Sequence, residues 1–114
     1  MAYFAVTCEQ GPAWVSGRAM RDQALWTEHA TFINSRVSAG FVIAAGPVGT
    51  GTVHRALLIV HADREAEVRE GFAADPWMQE GILRIVTIES WRLLASDERL
   101  DHVLEQLTHA PPRS

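Results

Sequence analysis

The sequence predicts an α+β fold: a ferredoxin-like βαββαβ sandwich with an extra C-terminal helix. Three observations carry that expectation. The spacing of apolar residues switches between strand and helix periods in the order β-α-β-β-α-β. The strands are apolar on both faces, as in a sheet covered on two sides. And the chain has 114 residues, with no internal repeat or low-complexity segment, the length of one domain.

The elements follow in order. Residues 2–8, AYFAVTC, are rich in aromatic and β-branched side chains and read as the first strand. EQGPAWVSG carries Gly11, Pro12 and Gly17 and reads as a loop. From Arg18 to about Ala39, Leu25, Trp26, His29, Phe32, Ile33 and Val37 recur at three- and four-residue spacings, predicting an amphipathic helix that Gly40 ends. FVIAAGPV (41–48) and VHRALLIVHA (53–62) are strands joined by the turn GTGT, a hairpin. Gly46 and Pro47, inside the first of them, imply a bulge or a close backbone approach. Asp63 is placed to cap a second helix, and Pro76 forces a turn near Asp75. Residues 82–94 read as the last strand. Ser96 or Asp97 then opens a third helix in which Leu100, Val103, Leu104 and Leu107 fall on one face. The division expected is residues 1–95 as the ferredoxin-like domain and 96–114 as a helical extension and tail.

In the third strand Leu57 and Ile59 lie on one face, Leu58 and Val60 on the other. In the last strand simple alternation sets Ile85, Trp91 and Leu93 against Val86 and Ile88. The two helices of a split βαβ unit cover one face only. A second copy of the sheet is the simplest cover for the other, so a homodimer packed sheet to sheet is expected. A hydrophobic content of 47% with four tryptophans, rich for so short a chain, agrees with that.

Charge excludes some partners. The net charge of −4 is spread along the chain, and no basic stripe interleaved with aromatics is present, so nucleic acid is not an expected partner. A single cysteine, Cys8, rules out an internal disulfide framework and fits a reducing compartment. The N-terminus lacks the basic and apolar regions of a signal peptide, and no apolar run approaches the roughly 20 residues that span a bilayer. A soluble cytoplasmic protein is expected, with no membrane partner.

One candidate site stands out. His29 falls within the apolar stripe of the first helix. It fits either a core histidine bonded to a carbonyl or an inward imidazole facing a cavity, where a side chain that titrates near neutrality suits acid–base chemistry. Asp75, in AADPWM, fits either a residue that opens the turn through its own backbone or a carboxylate that orients His29. Trp77 and Met78 can anchor the loop or wall a pocket. Arg84 can hold a substrate anion or stand as a solvated edge charge. His54 and His61, seven apart, point to opposite faces and form no local metal pair; no metal site or cofactor is expected. Cys8, on a strand, reads as a small buried hydrophobe. The GPVGTG stretch lacks the lysine and the strand-to-helix setting of a phosphate loop, and no serine sits in a nucleophile elbow.

The helix segment QALWTEHATFINSRVSAGFVIAAGPV, the turn AADPWMQEGIL and the strand ending ESWRLL together resemble the YCII-related (YciI-like) family, over residues 3 to about 94. That resemblance implies a ferredoxin-like fold dimerising through its sheets, the dimeric α+β barrel. It also implies a site formed by the helix histidine and the aspartate of the Asp-Pro motif, here His29 and Asp75. Some similar proteins are thought to carry out lyase-type chemistry, such as eliminating a leaving group from a ring-hydroxylated aromatic, and related dimeric barrels include isomerases and monooxygenases.

The expectation is therefore a small cofactor-independent enzyme of lyase or isomerase type. His29 and Asp75 move a proton on a small, aromatic-sized organic substrate bound by Trp26, Phe32, Gly46, Pro47 and Trp77. A small-ligand-binding domain without turnover and an accessory dimeric subunit of a pathway are the alternatives.

Overall fold

The computed structural model describes residues 2–97 and 99–100. Among them the chain forms β1 (Ala2–Gln10), α1 (Trp26–Ser38), β2 (Val42–Pro47), β3 (Arg55–Ala62), α2 (Glu65–Phe72), the single turn α3 (Pro76–Gln79) and β4 (Leu83–Trp91). The strands make one antiparallel sheet in the order β2-β3-β1-β4. Each helical crossover thus spans an intervening strand, as the split βαβ arrangement requires. No helix among the described residues is long and apolar enough to cross a membrane.

Alternation builds the core. Phe4, Val6 and Cys8 of β1 and Leu58, Val60 and Ala62 of β3 point to the helical side, where they meet Val68 and Phe72 of α2 and Trp77 of α3. Trp26, Phe32 and Ile33 of α1 pack against that cluster. Burying side chains of this size stabilises the fold by about 1.5–3 kcal/mol each. Gly71 lets α2 approach: a Cβ there would lie 2.2 Å from the Phe41 ring.

Several boundaries differ from the sequence expectation, each for a local reason. The first helix begins at Trp26, not Arg18. Leu25 takes a left-handed conformation (φ 62°, ψ 22°) that an α-helix cannot pass through. The residues before it form a strap, with only a three-residue 3₁₀ turn at Met20–Asp22. The buried Gln23 side chain ties this strap: its Oε1 accepts the Val15 N–H, and its Nε2 donates to the carbonyls of Val15 and Arg18, all at 2.9 Å. The end of α1 is as expected. Gly40 (φ 79°) follows the helix, Phe41 N–H donates to Arg36 O and Gly40 N–H to Val37 O, the Schellman pattern.

The N-cap of α2 is Arg64 rather than Asp63. Asp63 instead donates its backbone N–H to Glu67 Oε2 at 3.1 Å. Pro76, which could not continue α2, occupies the first position of α3, where its missing N–H costs nothing.

The bulges are also elsewhere. Gly46 and Pro47 pair regularly with Leu57 and Ala56, and the irregularity in β2 falls between Val42 and Ala44. A Cβ on Gly46 would meet nothing within 4 Å, so no close backbone approach occurs there. Pro47 is tolerated because β2 is an edge strand. In β4 a bulge lies opposite Thr7/Cys8 and leaves Val86 outside the pairing. It moves Ile85 and Ile88 onto the same, core-packed face, correcting the simple alternation.

The sheet's second face is not covered by either helix. It carries Tyr3, Ala5, Leu57, Ile59 and Trp91, and Leu57 and Trp91 each remain 37% exposed. At the C-terminal end, Asp97 accepts the Arg99 backbone N–H at 2.9 Å, as an N-cap would. The helix expected beyond it lies outside the described residues.

Candidate active site

α1, α3, the strap and the sheet line an open-mouthed cavity of about 290 Å³. This is the lower end of the size range for small-molecule sites, room for one substituted ring. Met20, Trp26, Ile33, Leu58, Trp77 and Met78 give it an apolar lining, and His29, Asn34, His54 and Asp75 supply the polar groups.

Asp75 lies just beyond α2 and is the N-cap of α3. It is fully buried, and two N–H groups converge on its carboxylate. His29 Nδ1 lies 2.9 Å from Oδ1 and 3.0 Å from Oδ2. The Trp77 backbone N–H donates to Oδ1 at 3.0 Å. The turn reading and the carboxylate reading of Asp75 therefore both hold: one side chain caps the turn and holds the imidazole. An ionised carboxylate can only accept, so Nδ1 carries a hydrogen and Nε2 is left with its lone pair on the cavity side of a ring only 12% exposed. No hydrogen bond to Nε2 is made by any described residue.

The indole of Trp77 fixes the plane of that ring. It stacks on His29 with centroids 4.0 Å apart and planes 6° from parallel. Its own Nε1–H donates to the Ala24 carbonyl at 2.7 Å, which ties the end of the strap to α3. Trp26 packs 5.6 Å from Trp77 and 6.0 Å from His29. Beneath the carboxylate, Cys8 is wholly buried; burial, and then the charge of Asp75, push its thiol up to about 12. A thiol so reluctant to ionise is no nucleophile.

The structure thus brings together His29, Asp75, Trp26, Gly46, Pro47 and Trp77 around one cavity. It does not bring Phe32, which packs against the core and carries the Arg36 guanidinium 5.2 Å from its ring centroid. Arg84 lies away from the cavity, paired across strands with Glu9 at 3.1 Å. No cluster of metal-ligating side chains occurs among the described residues.

Two residues escaped sequence reasoning. His54 lines the cavity from the end of the hairpin, and Trp14, in the strap, stacks on it at 4.3 Å and 13°. Trp14 also meets Trp77 edge to face at 5.7 Å. Trp14 lies in a segment without a period, and His54 lies at the very start of the expected third strand. Only the odd spacing of His54 and His61, which sends the two to opposite faces, hinted that His54 points to the helical side.

No curated protein and no solved structure matched the chain. The family model for the YCII-related domain matches residues 2–92, all four strands and all three helices just described. The chain belongs to the YCII-related domain family.

Proposed function

We propose that this protein is a cofactor-independent enzyme in which His29, oriented by Asp75, moves a proton on a small organic substrate bound in the cavity. The observation that carries this reading is the bond from Nδ1 to a wholly buried carboxylate, which leaves Nε2 as a base on the side of a largely apolar, open-mouthed cavity. A core histidine needs no such cavity.

The chemistry that fits is removal of a proton beside a carbonyl, or its equivalent in a hydroxylated ring. The C–H bond breaks, its electron pair enters the adjoining carbon–carbon bond, and the carbonyl pair moves onto oxygen. The proton arrives on Nε2, giving an imidazolium held between the Asp75 carboxylate and the Trp77 face. Return of the proton to another carbon gives isomerisation. Departure of a neighbouring leaving group with its bonding pair gives elimination.

The test is deuterium uptake from heavy water, followed by NMR, across a panel of enolisable ketones, lactones and hydroxylated aromatics. Wild type should label at least one compound, with His29→Gln slower by about 10²–10⁴-fold. If no member of the panel is labelled, or if H29Q labels as fast as wild type, the reading fails.

The working form proposed is a homodimer joined through the uncovered sheet face, where Leu57, Ile59 and Trp91 offer an apolar surface. Sedimentation should show a dimer that Leu57→Glu converts to monomer. A wild-type monomer at micromolar concentration would count against it.

A further inference from the structure

Among the described residues His29 is one of two imidazoles at the cavity, and the second is also held in place. His54 has its backbone fixed at both ends by Gln10: the Gln10 N–H donates to His54 O at 2.9 Å, and the His54 N–H donates to Gln10 Oε1 at 2.8 Å. Its ring lies flat on Trp14 as that of His29 lies flat on Trp77, and the two indoles touch edge to face. The result is a continuous chain of four rings, His29–Trp77–Trp14–His54, with an imidazole at each end and the cavity lined by both.

The two imidazoles differ in one respect. His29 has a carboxylate behind it. His54 has none, and no described residue bonds to its ring nitrogens. We propose that His54 is the oxyanion donor of the site: as a neutral imidazole it hydrogen-bonds through a ring N–H to the substrate oxygen that gains negative charge when His29 removes the proton. The substrate class follows: a compound whose acidic C–H and carbonyl or ring oxygen are far enough apart for one to face each imidazole.

Three observations support the assignment. Burial, and then the charge His29 carries once protonated, hold His54 below the usual histidine value, which favours its uncharged form. A neutral donor strengthens its bond as charge develops on the oxygen, and needs no proton exchanged with water in each cycle. The two imidazoles also line the same cavity, at opposite ends of the chain of rings. Finally, the remaining lining is apolar except for Asn34 and Asp75, and Asp75, an acceptor already engaged with His29, cannot stabilise an oxyanion.

The proposal rests on the acid–base reading of His29, and its test separates the two. The probe is para-nitrophenol, whose ionised form carries its charge on an sp² oxygen like the enolate and absorbs at a different wavelength from the neutral form. Wild type should bind it as the phenolate. His54→Phe, which keeps the stack on Trp14, should bind the phenolate about tenfold or more weakly and shift the bound probe towards the neutral phenol. His54→Asn, with an N–H restored, should recover part of the ionised fraction.

Loss in H54F supports the oxyanion role, and unchanged binding and spectrum in H54F, or no binding by wild type, overturns it. The acid–base reading is judged apart, by the deuterium uptake of H29Q, because the phenolate offers His29 no carbon-bound proton to remove. If H54F fails to fold, the NMR signals of the His54 ring nitrogens in wild type decide: they move on adding the phenolate if His54 donates, and a ring left unmoved refutes it.

Discussion

At the residue scale, Asp75 and His29 cannot be valued separately. Replacing Asp75 with Ala removes the cap of α3, at about 0.5–2 kcal/mol, and strands the Nδ1–H, at about 1–3 kcal/mol more. Replacing His29 with Leu leaves a wholly buried carboxylate with the Trp77 N–H as its one remaining partner among those described. The double variant has neither orphan. A double-mutant cycle of chemical denaturation should therefore show the pair less destabilised than the sum of the singles, by about 0.5–3 kcal/mol. Strict additivity would mean that the two side chains do not share an interaction. Both residues were visible in the sequence, one in the apolar stripe of a helix and one in an Asp-Pro turn. Their meeting was one of two readings open in the residues, and the family resemblance favoured it; 46 residues separate them, and the side-by-side packing of α1 and α3 closes the gap.

At the element scale, the strap between β1 and α1 decides the shape of the site. It delivers Trp14 to His54 and the Ala24 carbonyl to Trp77. Its start is tied by backbone bonds from Gly11 and Ala13 to Ile82 and Gly81, and its middle by the Gln23 side chain. Gln23→Ala should leave the Val15 N–H and the Arg18 carbonyl without their partners, the Val15 carbonyl keeping the Arg18 N–H, and raise amide exchange from Val15 to Arg18 while the amides of β1 and β3 keep their protection. Uniform loss of protection would show that the strap is instead part of the core. The same segment is where sequence reading went furthest astray. Residues 18–25 carry helix-forming side chains, but a helix there conflicts with the left-handed Leu25 and with the Gln23 clamp, and neither has a periodic signature. The strap begins at Gly11, where a Cβ would sit 2.1 Å from the Gly81 carbonyl oxygen. Gly11→Ala must therefore push two backbones apart, and a loss of about 1–3 kcal/mol in denaturant unfolding is expected.

At the scale of the whole molecule, strand order and the two-faced apolar pattern were legible, since both follow from period-two alternation and the order of elements. The bulge at Val86 was not, because a single unpaired residue changes the face of everything after it without changing composition. The global charge balance has a measurable consequence. Burial holds both His54 and His61 below the ordinary histidine value of 6.5. As pH falls through that value the unfolded chain takes up protons first, so stability is fully present above it and declines towards acid. Thermal melts from pH 7 to about 5 should show a falling midpoint, with the slope reduced in a His54→Phe, His61→Phe double variant. An unchanged slope would mean that other groups set the acid limit.

The sharing of one carboxylate between a turn and an imidazole also bears on how such a chain can change over generations. A lineage that gives up His29 inherits a stranded charge at the heart of the fold, and one that gives up Asp75 inherits a loosened Trp77. Neither step can drift in unnoticed, so losses should come in pairs or be answered by substitution. Where a family member keeps the Asp-Pro-Trp turn but lacks the helix histidine, the helix position should hold another hydrogen-bond donor of similar reach. Where both are gone, the turn itself should be rebuilt. Ancestry at this site is written in couplets, and a single letter read alone will mislead.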